Sequence, residues 1–266
     1  MLLLKLILAP TLIVLVTLAT RRWGSTVGGL LMALPVVAGP TLGFYALDHG
    51  NEFAAQAAET TLLGLVAVAG FCTSYARAAV SGRRWPLSVL IGWLTFGLLS
   101  IALSRAEFNV FVNLALALIA LLVSRWTIAT SATARSVIAA PKWDLPLRAL
   151  AAAVLVLTLT WLAERLGPRL SGVLTPFPVV TAIFAVFTHA QGGPVAVSQF
   201  LRRFIPGLCT FAVFCVVLSL TLPAFSVPAA FALALIVQIA CQAIVLWRVS
   251  VARRSAARPR PQRAEL

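Results

Sequence analysis

Charge of either sign is scarce in this chain, and acidic charge scarcest of all. Its 266 residues include seven Asp and Glu and two His, and charged residues make up 11% of the whole. Soluble globular chains run about 25% charged and 45–50% apolar. Here 61% of the residues are hydrophobic and the mean hydropathy is +1.00. So large an apolar excess has no soluble resting place, which excludes a soluble enzyme, a secreted disulfide scaffold and a disordered chain. Cysteine is scarce as well. Cys72, Cys209, Cys215 and Cys241 all lie inside apolar runs with no CxxC or Cys/His spacing, so neither a zinc site nor a disulfide framework is expected. The chain also lacks HExxH, GxSxG, P-loop and GxGxxG motifs, and it is read as a non-enzyme with no metal and no cofactor. The two Lys among so many Arg and Ala suit a GC-rich bacterial genome.

What the sequence does have is long apolar runs. Windows able to cross ~30 Å of hydrocarbon fall at 2–20, 27–47, 54–76, 86–104, 108–124, 147–163, 170–188, 195–221 and 227–247. This predicts an all-α polytopic membrane protein with about nine transmembrane helices. The first window is read as a span rather than a cleaved signal peptide, because it is long and has no clear small-x-small site. The longest connection, 125–148, divides the chain, and the tail 248–266 reads as basic and disordered.

The net charge of +14 would suit nucleic acid only if the basic residues shared a face. Instead they sit between apolar runs and act as topology signals. With nine spans and the C-terminus inside, 17 of the 21 Arg and Lys fall on the inner side. The outer turn at 48–53 carries Asp48 and Glu52 and no basic residue. The expectation is a multi-pass protein of the bacterial inner (plasma) membrane, N-terminus out and C-terminus in, monomeric or homodimeric, with the lipid bilayer as its surroundings and no nucleic-acid partner.

An internal repeat organises the spans. Displaced by 143 residues and without a gap, Arg22 and Gly24 meet Arg165 and Gly167, Gly29 meets Gly172, and Pro35-Val36-Val37 meets Pro178-Val179-Val180. Phe44, Gln56, Gly64 and Phe71-Cys72 fall on Phe187, Gln199, Gly207 and Phe214-Cys215. Spans one to four thus pair with spans six to nine, and the unmatched fifth turns the second copy over. The predicted organisation is an inverted repeat of two four-helix units, 1–104 and 147–247, joined by a linker helix and cytoplasmic loop at 105–146. Many secondary transporters share this architecture, with the site near the midplane between the repeats.

The second half carries LSGVLTPFPVVTAIFAVFTHAQGG at 170–193 and a Pro228-Ala229-Ala230-Phe231 opening to the last span. With Gly172, Pro176, Phe177, Pro178 and His189, this stretch resembles the small GlpM-like bacterial inner-membrane proteins. The resemblance covers about 95 residues of the second half and the first half more weakly, where Ala33 replaces Pro176 and Ala46 replaces His189. It implies a duplicated form of a four-span unit and names no substrate.

Mid-span glycine and proline free backbone groups that lipid cannot satisfy. Gly28, Gly29 and Pro35 of span two, with Pro176 and Pro178 of span seven, are therefore candidate substrate-binding positions, set against simple kinks or close helix packing. Gln56 and Gln199, matched by the repeat, are polar candidates for the same site. Glu59, two turns into span three, is both a binding and a proton-coupling candidate. Its repeat partner is Arg202, expected at a different depth and too far away to bridge to it; Glu59 would line an outer vestibule and Arg202 an inner one, but snorkelling to the headgroups is the favoured role of Arg202 and Arg203. Asp48, His49 and His189, at the outer and inner mouths, complete the proton-coupling candidates, with interfacial capping as the plainer role. Together these readings favour a secondary transporter or flippase for a small polar or anionic substrate. The alternative is a non-transporting membrane protein that supports envelope or polysaccharide assembly by binding lipid or a partner.

Overall fold

The computed structural model describes residues 11, 14–19, 22–23, 31, 34–35, 38–106, 108–129, 143–155, 157–158 and 178–256. Gly28, Gly29 and Pro176 lie outside the described residues, as do most of the first span window, the connection 130–142 and the tail beyond 256. The described residues are helical, with short turns and no strand. Helices α1 (Ala38–His49), α2 (Asn51–Val80), α3 (Trp85–Leu103), α4 (Val110–Thr127), α5 (Val179–Thr221) and α6 (Val227–Ala256) follow in order, with a further helical stretch at 144–155 between α4 and α5. All but α1 of these six are long and apolar enough to cross a bilayer. The chain is an α-helical membrane protein, the only spanning class besides closed barrels that satisfies every backbone group internally.

The turns have local causes. Pro86 and Pro228 each sit in the first turn of their helix, where a missing N–H costs nothing. Asn109 caps α4, its side chain accepting from Phe111 N–H at 3.1 Å and Val112 N–H at 3.0 Å. The α2–α3 turn closes on Gly82 at φ 83°, with Ser81 N–H donating to the Arg77 carbonyl at 3.0 Å and Gly82 N–H to Ala79 at 3.1 Å. Two further glycines break helices. Gly50 (φ 92°, ψ 166°) separates α1 from α2, and Gly193 (φ 76°, ψ −173°) interrupts α5. Only glycine adopts this backbone region without strain, and the two glycines lie 143 residues apart.

Two helices form the centre. In α2 and α5, 61% of the most apolar stretch is buried, against 28% in α3 and α4 and 22% in α6. Leu62, Phe71, Cys72 and Tyr75 of α2 and Leu201, Ile205, Phe214 and Cys215 of α5 are fully buried. The Asn51 side chain, at the start of α2, donates to the Leu222 carbonyl at 2.9 Å, just past the end of α5. Tyr75, near the end of α2, meets His189 in the first part of α5. Helix α2 and residues 194–221 therefore run antiparallel. Glu59 with Asn113 at one level and Thr73 with Ser124 at another show that α4 runs parallel to α2. Helix α3 packs closely on α2 because glycine stands at the contacts: a Cβ on Gly92 would meet the Phe71 ring at 2.7 Å, and one on Gly70 would collide with Leu99. The lipid-facing sides of α3, α4 and α6 carry Leu98, Phe111 and Ile236, each at least 60% exposed.

Three boundaries differ from the sequence reading. Helix α6 continues to Ala256, nine residues into the expected disordered tail; Val-Ala-Arg-Arg-Ser-Ala suits a helix, and no proline intervenes before Pro259. The expected loop 125–148 is helical again from residue 144, and Asp144 and Arg148 are buried rather than lying in a solvated connection. Finally, only the Gly193 kink separates spans seven and eight, where a turn was expected.

Candidate functional site

Two short helices distinguish the architecture. Helix α1 rises only ~18 Å over its 12 residues, and the first part of α5, 179–192, only ~21 Å. Neither alone crosses the ~30 Å of a bilayer core. Each begins just after a proline and ends at a positive-φ glycine. Pro35 lies in a bend, and its carbonyl accepts the Gly39 N–H. Pro178 is the residue before α5, in a non-helical conformation (φ −77°, ψ 57°), and its carbonyl accepts the Ala182 N–H at 2.8 Å. Both prolines are buried. No acidic residue stands in the first turn of either helix, so the positive end of each dipole is uncompensated by a carboxylate of its own turn.

The far end of 179–192 carries a polar cluster that the sequence reading missed. Arg148 Nε donates to both oxygens of Asp144 at 3.0 Å, with side-chain exposures of 7% and 1%. Gln191 Nε2 donates to Asp144 as well. The Arg148 guanidinium lies 5.1 Å from the Phe184 ring centre and 4.7 Å from that of Phe187, so two phenyl faces hold the cation while Asp144 neutralises it. One turn away, Tyr75 Oη and His189 Nδ1 are hydrogen-bonded at 3.3 Å. The short helix is thus tied on one side to 144–155 and on the other to α2. The available signal was the i, i+4 spacing of Asp144 and Arg148 at the mouth of an apolar run.

The remaining candidates fall in separate places. Glu59 is half-buried and accepts from Asn113 Nδ2 at 3.2 Å, near the start of α4; Asn113 is itself buried, with Oδ1 unpartnered. Arg202 donates to the Ile128 carbonyl at 3.2 Å, just beyond the end of α4. The two are thus separated by the length of α4, ~25 Å, and no bridge joins them. Gln56 is exposed on α2, and Gln199 is half-buried on α5. Asp48 is exposed at the end of α1 beside His49, which stacks on Phe53 with ring centres 4.8 Å apart. Of the proton-coupling set, only His189 is buried against a polar partner. Among the described residues, no three His, Cys, Asp or Glu come close enough to hold a metal ion, and all four cysteines are free.

No family model matches the chain, and neither a curated protein nor a solved structure matches it.

Proposed function

We propose that the protein is a secondary transporter or flippase of a bacterial inner membrane, built as two inverted four-helix units around linker helix α4, each unit a relative of the GlpM-like fold. One observation carries this reading: α1 and 179–192 are half-length helices, 143 residues apart, each opened by a buried proline and closed by a glycine of the same backbone conformation. The antiparallel course of α2 and 194–221 supports the inversion. Helix α3 follows α2 as α6 follows α5, and the order of the elements repeats with it. From opposite surfaces, helices of ~18–21 Å reach past the middle of a ~30 Å core. Their N-termini then meet near the midplane, where aligned N–H groups and uncompensated dipoles bind an anionic group. The substrate class is a small anion, held beside Pro35 and Pro178. The nine-span count, the N-out/C-in orientation and the monomeric or homodimeric state belong to this proposal as well.

The test is thermal melting of the purified protein in detergent against phosphate, chloride and short mono- and dicarboxylates. An anion bound only by the folded protein adds about 2.7 kcal/mol of stability at a hundredfold excess over Kd. The expected result is a melting rise with one anion class that Val179→Asp abolishes, because the new carboxylate occupies the helix terminus. If none of the anions moves the melting point, the transporter reading fails and the alternative of envelope assembly by lipid or partner binding takes its place.

A further inference from the structure

We propose that the cleft between α2, α3 and α4 is a binding site for one anionic phospholipid, with its phosphate on Arg77 and Arg83 and an acyl chain lying inward along α2. The cleft has a volume of about 730 Å³ and is largely open between the three helices. Along α2 it is lined by the small residues Ala69 and Gly70, with Leu99 packed close over Gly70, and its other walls include Val66, Ala120 and Val123. Six hydroxyls line it, and each donates to a backbone carbonyl: Thr73 to Ala69 at 2.9 Å, Ser74 to Gly70 at 2.8 Å, Ser81 to Ala78 at 2.9 Å, Thr95 to Ile91 at 2.9 Å, Ser124 to Ala69 at 3.2 Å and Thr127 to Ser124 at 3.2 Å. The inner length of the cleft is therefore apolar in effect and has little to hold a water-soluble ligand.

Charge is confined to one end. Arg77 and Arg83 are exposed, and no acidic residue lines the cleft. Neither Arg makes an ion pair among the described residues. Trp85 and Trp126, 43% and 76% exposed, stand at the same ends of α3 and α4. Exposed tryptophan of this kind marks the level of the headgroups. From Arg77 to Val66 the cleft descends α2 by ~16 Å, half of a ~30 Å hydrocarbon core. That is the depth of one leaflet, so a chain anchored at the two Arg ends at the bilayer centre. Two cations without a carboxylate select an anionic phosphate and offer nothing to the ammonium of a zwitterionic headgroup.

Dioleoyl-phosphatidylglycerol and dioleoyl-phosphatidylcholine, each added to the detergent-purified chain, test the proposal, read by thermal melting and by the number of lipids retained in native mass spectrometry. Phosphatidylglycerol should raise the melting temperature and be retained as one copy. The Arg77→Gln/Arg83→Gln variant, altered only at exposed positions, should melt as the parent does without lipid and need at least tenfold more phosphatidylglycerol for the same rise. Ala120→Phe, which fills the cleft and leaves both Arg in place, should lose the rise as well. Equal stabilisation by phosphatidylcholine, undiminished binding to the double Arg variant, or an equal effect of glycerol 3-phosphate without acyl chains would each overturn the proposal.

Discussion

At the scale of single residues, the charges that matter are those the packed helices have taken out of water. Asp144 and Arg148 neutralise each other at 3.0 Å with almost no exposure, and removing one member of such a pair strands the other. Asp144→Asn and Arg148→Met should each lower stability by about 3–5 kcal/mol, whereas the double variant should lose much less than the sum, measured by reversible unfolding in mixed micelles. Glu59 and Arg202, 143 residues apart and opposite in charge, each lie at one end of α4. Its N-terminal end lies toward the acid and its C-terminal carbonyls toward the base, which suits the helix dipole at both ends. The sequence alone separates the two residues in depth; it does not identify Asn113 as the partner of Glu59, because that contact spans 54 residues and depends on how α4 packs. Glu59→Gln keeps an acceptor for Asn113 Nδ2 and brings an amide donor that can turn toward the unpartnered Asn113 Oδ1. The variant should melt at or above the parent's temperature and, if Glu59 carries the coupling proton, transport should lose its dependence on pH in proteoliposomes. Uptake that still followed pH would remove Glu59 from the proton path.

At the scale of elements, apolar windows located most of the helices within a few residues. Span five, 108–124, is α4 at Val110–Thr127, and span four, 86–104, is α3 at Trp85–Leu103. Hydropathy could not reveal that Pro35 and Pro178 stand at helix starts rather than at kinks within continuous spans, because the same apolar residues serve either geometry. Pro206 shows how a proline inside a helix is accommodated. It has no N–H for the Arg202 carbonyl one turn earlier, and Arg125 Nη1 donates to that carbonyl at 3.3 Å, while Arg202 Nη1 reaches back to the Ile128 carbonyl. Arg125→Ala should therefore cost about 1–3 kcal/mol by leaving a half-buried carbonyl unpaired. In a Pro206→Ala background, the restored N–H takes over that carbonyl, and the same substitution should cost about 1 kcal/mol or less. A double-mutant cycle on unfolding free energies measures the difference, and equal costs in the two backgrounds would mean that the clasp does not compensate for the proline.

At the scale of the whole molecule, the basic residues decide which side faces in. Three arginines, Arg77, Arg83 and Arg84, gather at the α2–α3 turn, whereas the α5–α6 turn, Leu222–Ser226, carries no charge. Asn51 joins the latter turn to the start of α2, so the two turns lie at opposite ends of the central helices. Ser81 and Ser226 are exposed, one at each turn. With all four native cysteines replaced by alanine, Ser226→Cys should react with a membrane-impermeant maleimide on intact spheroplasts. Ser81→Cys should react only after lysis, because cytoplasmic connections carry the excess of Arg and Lys. The reverse pattern would turn the protein over, and labelling of both sites from outside would contradict the antiparallel course of α2 and 194–221. The proposed inversion of the two units depends on that course. Gly50 precedes the start of α2, which meets Leu222, and Gly193 follows His189, which meets Tyr75 near the end of α2, so the two glycines stand at opposite ends of α2, as the proposed entry of the two short helices from opposite sides requires.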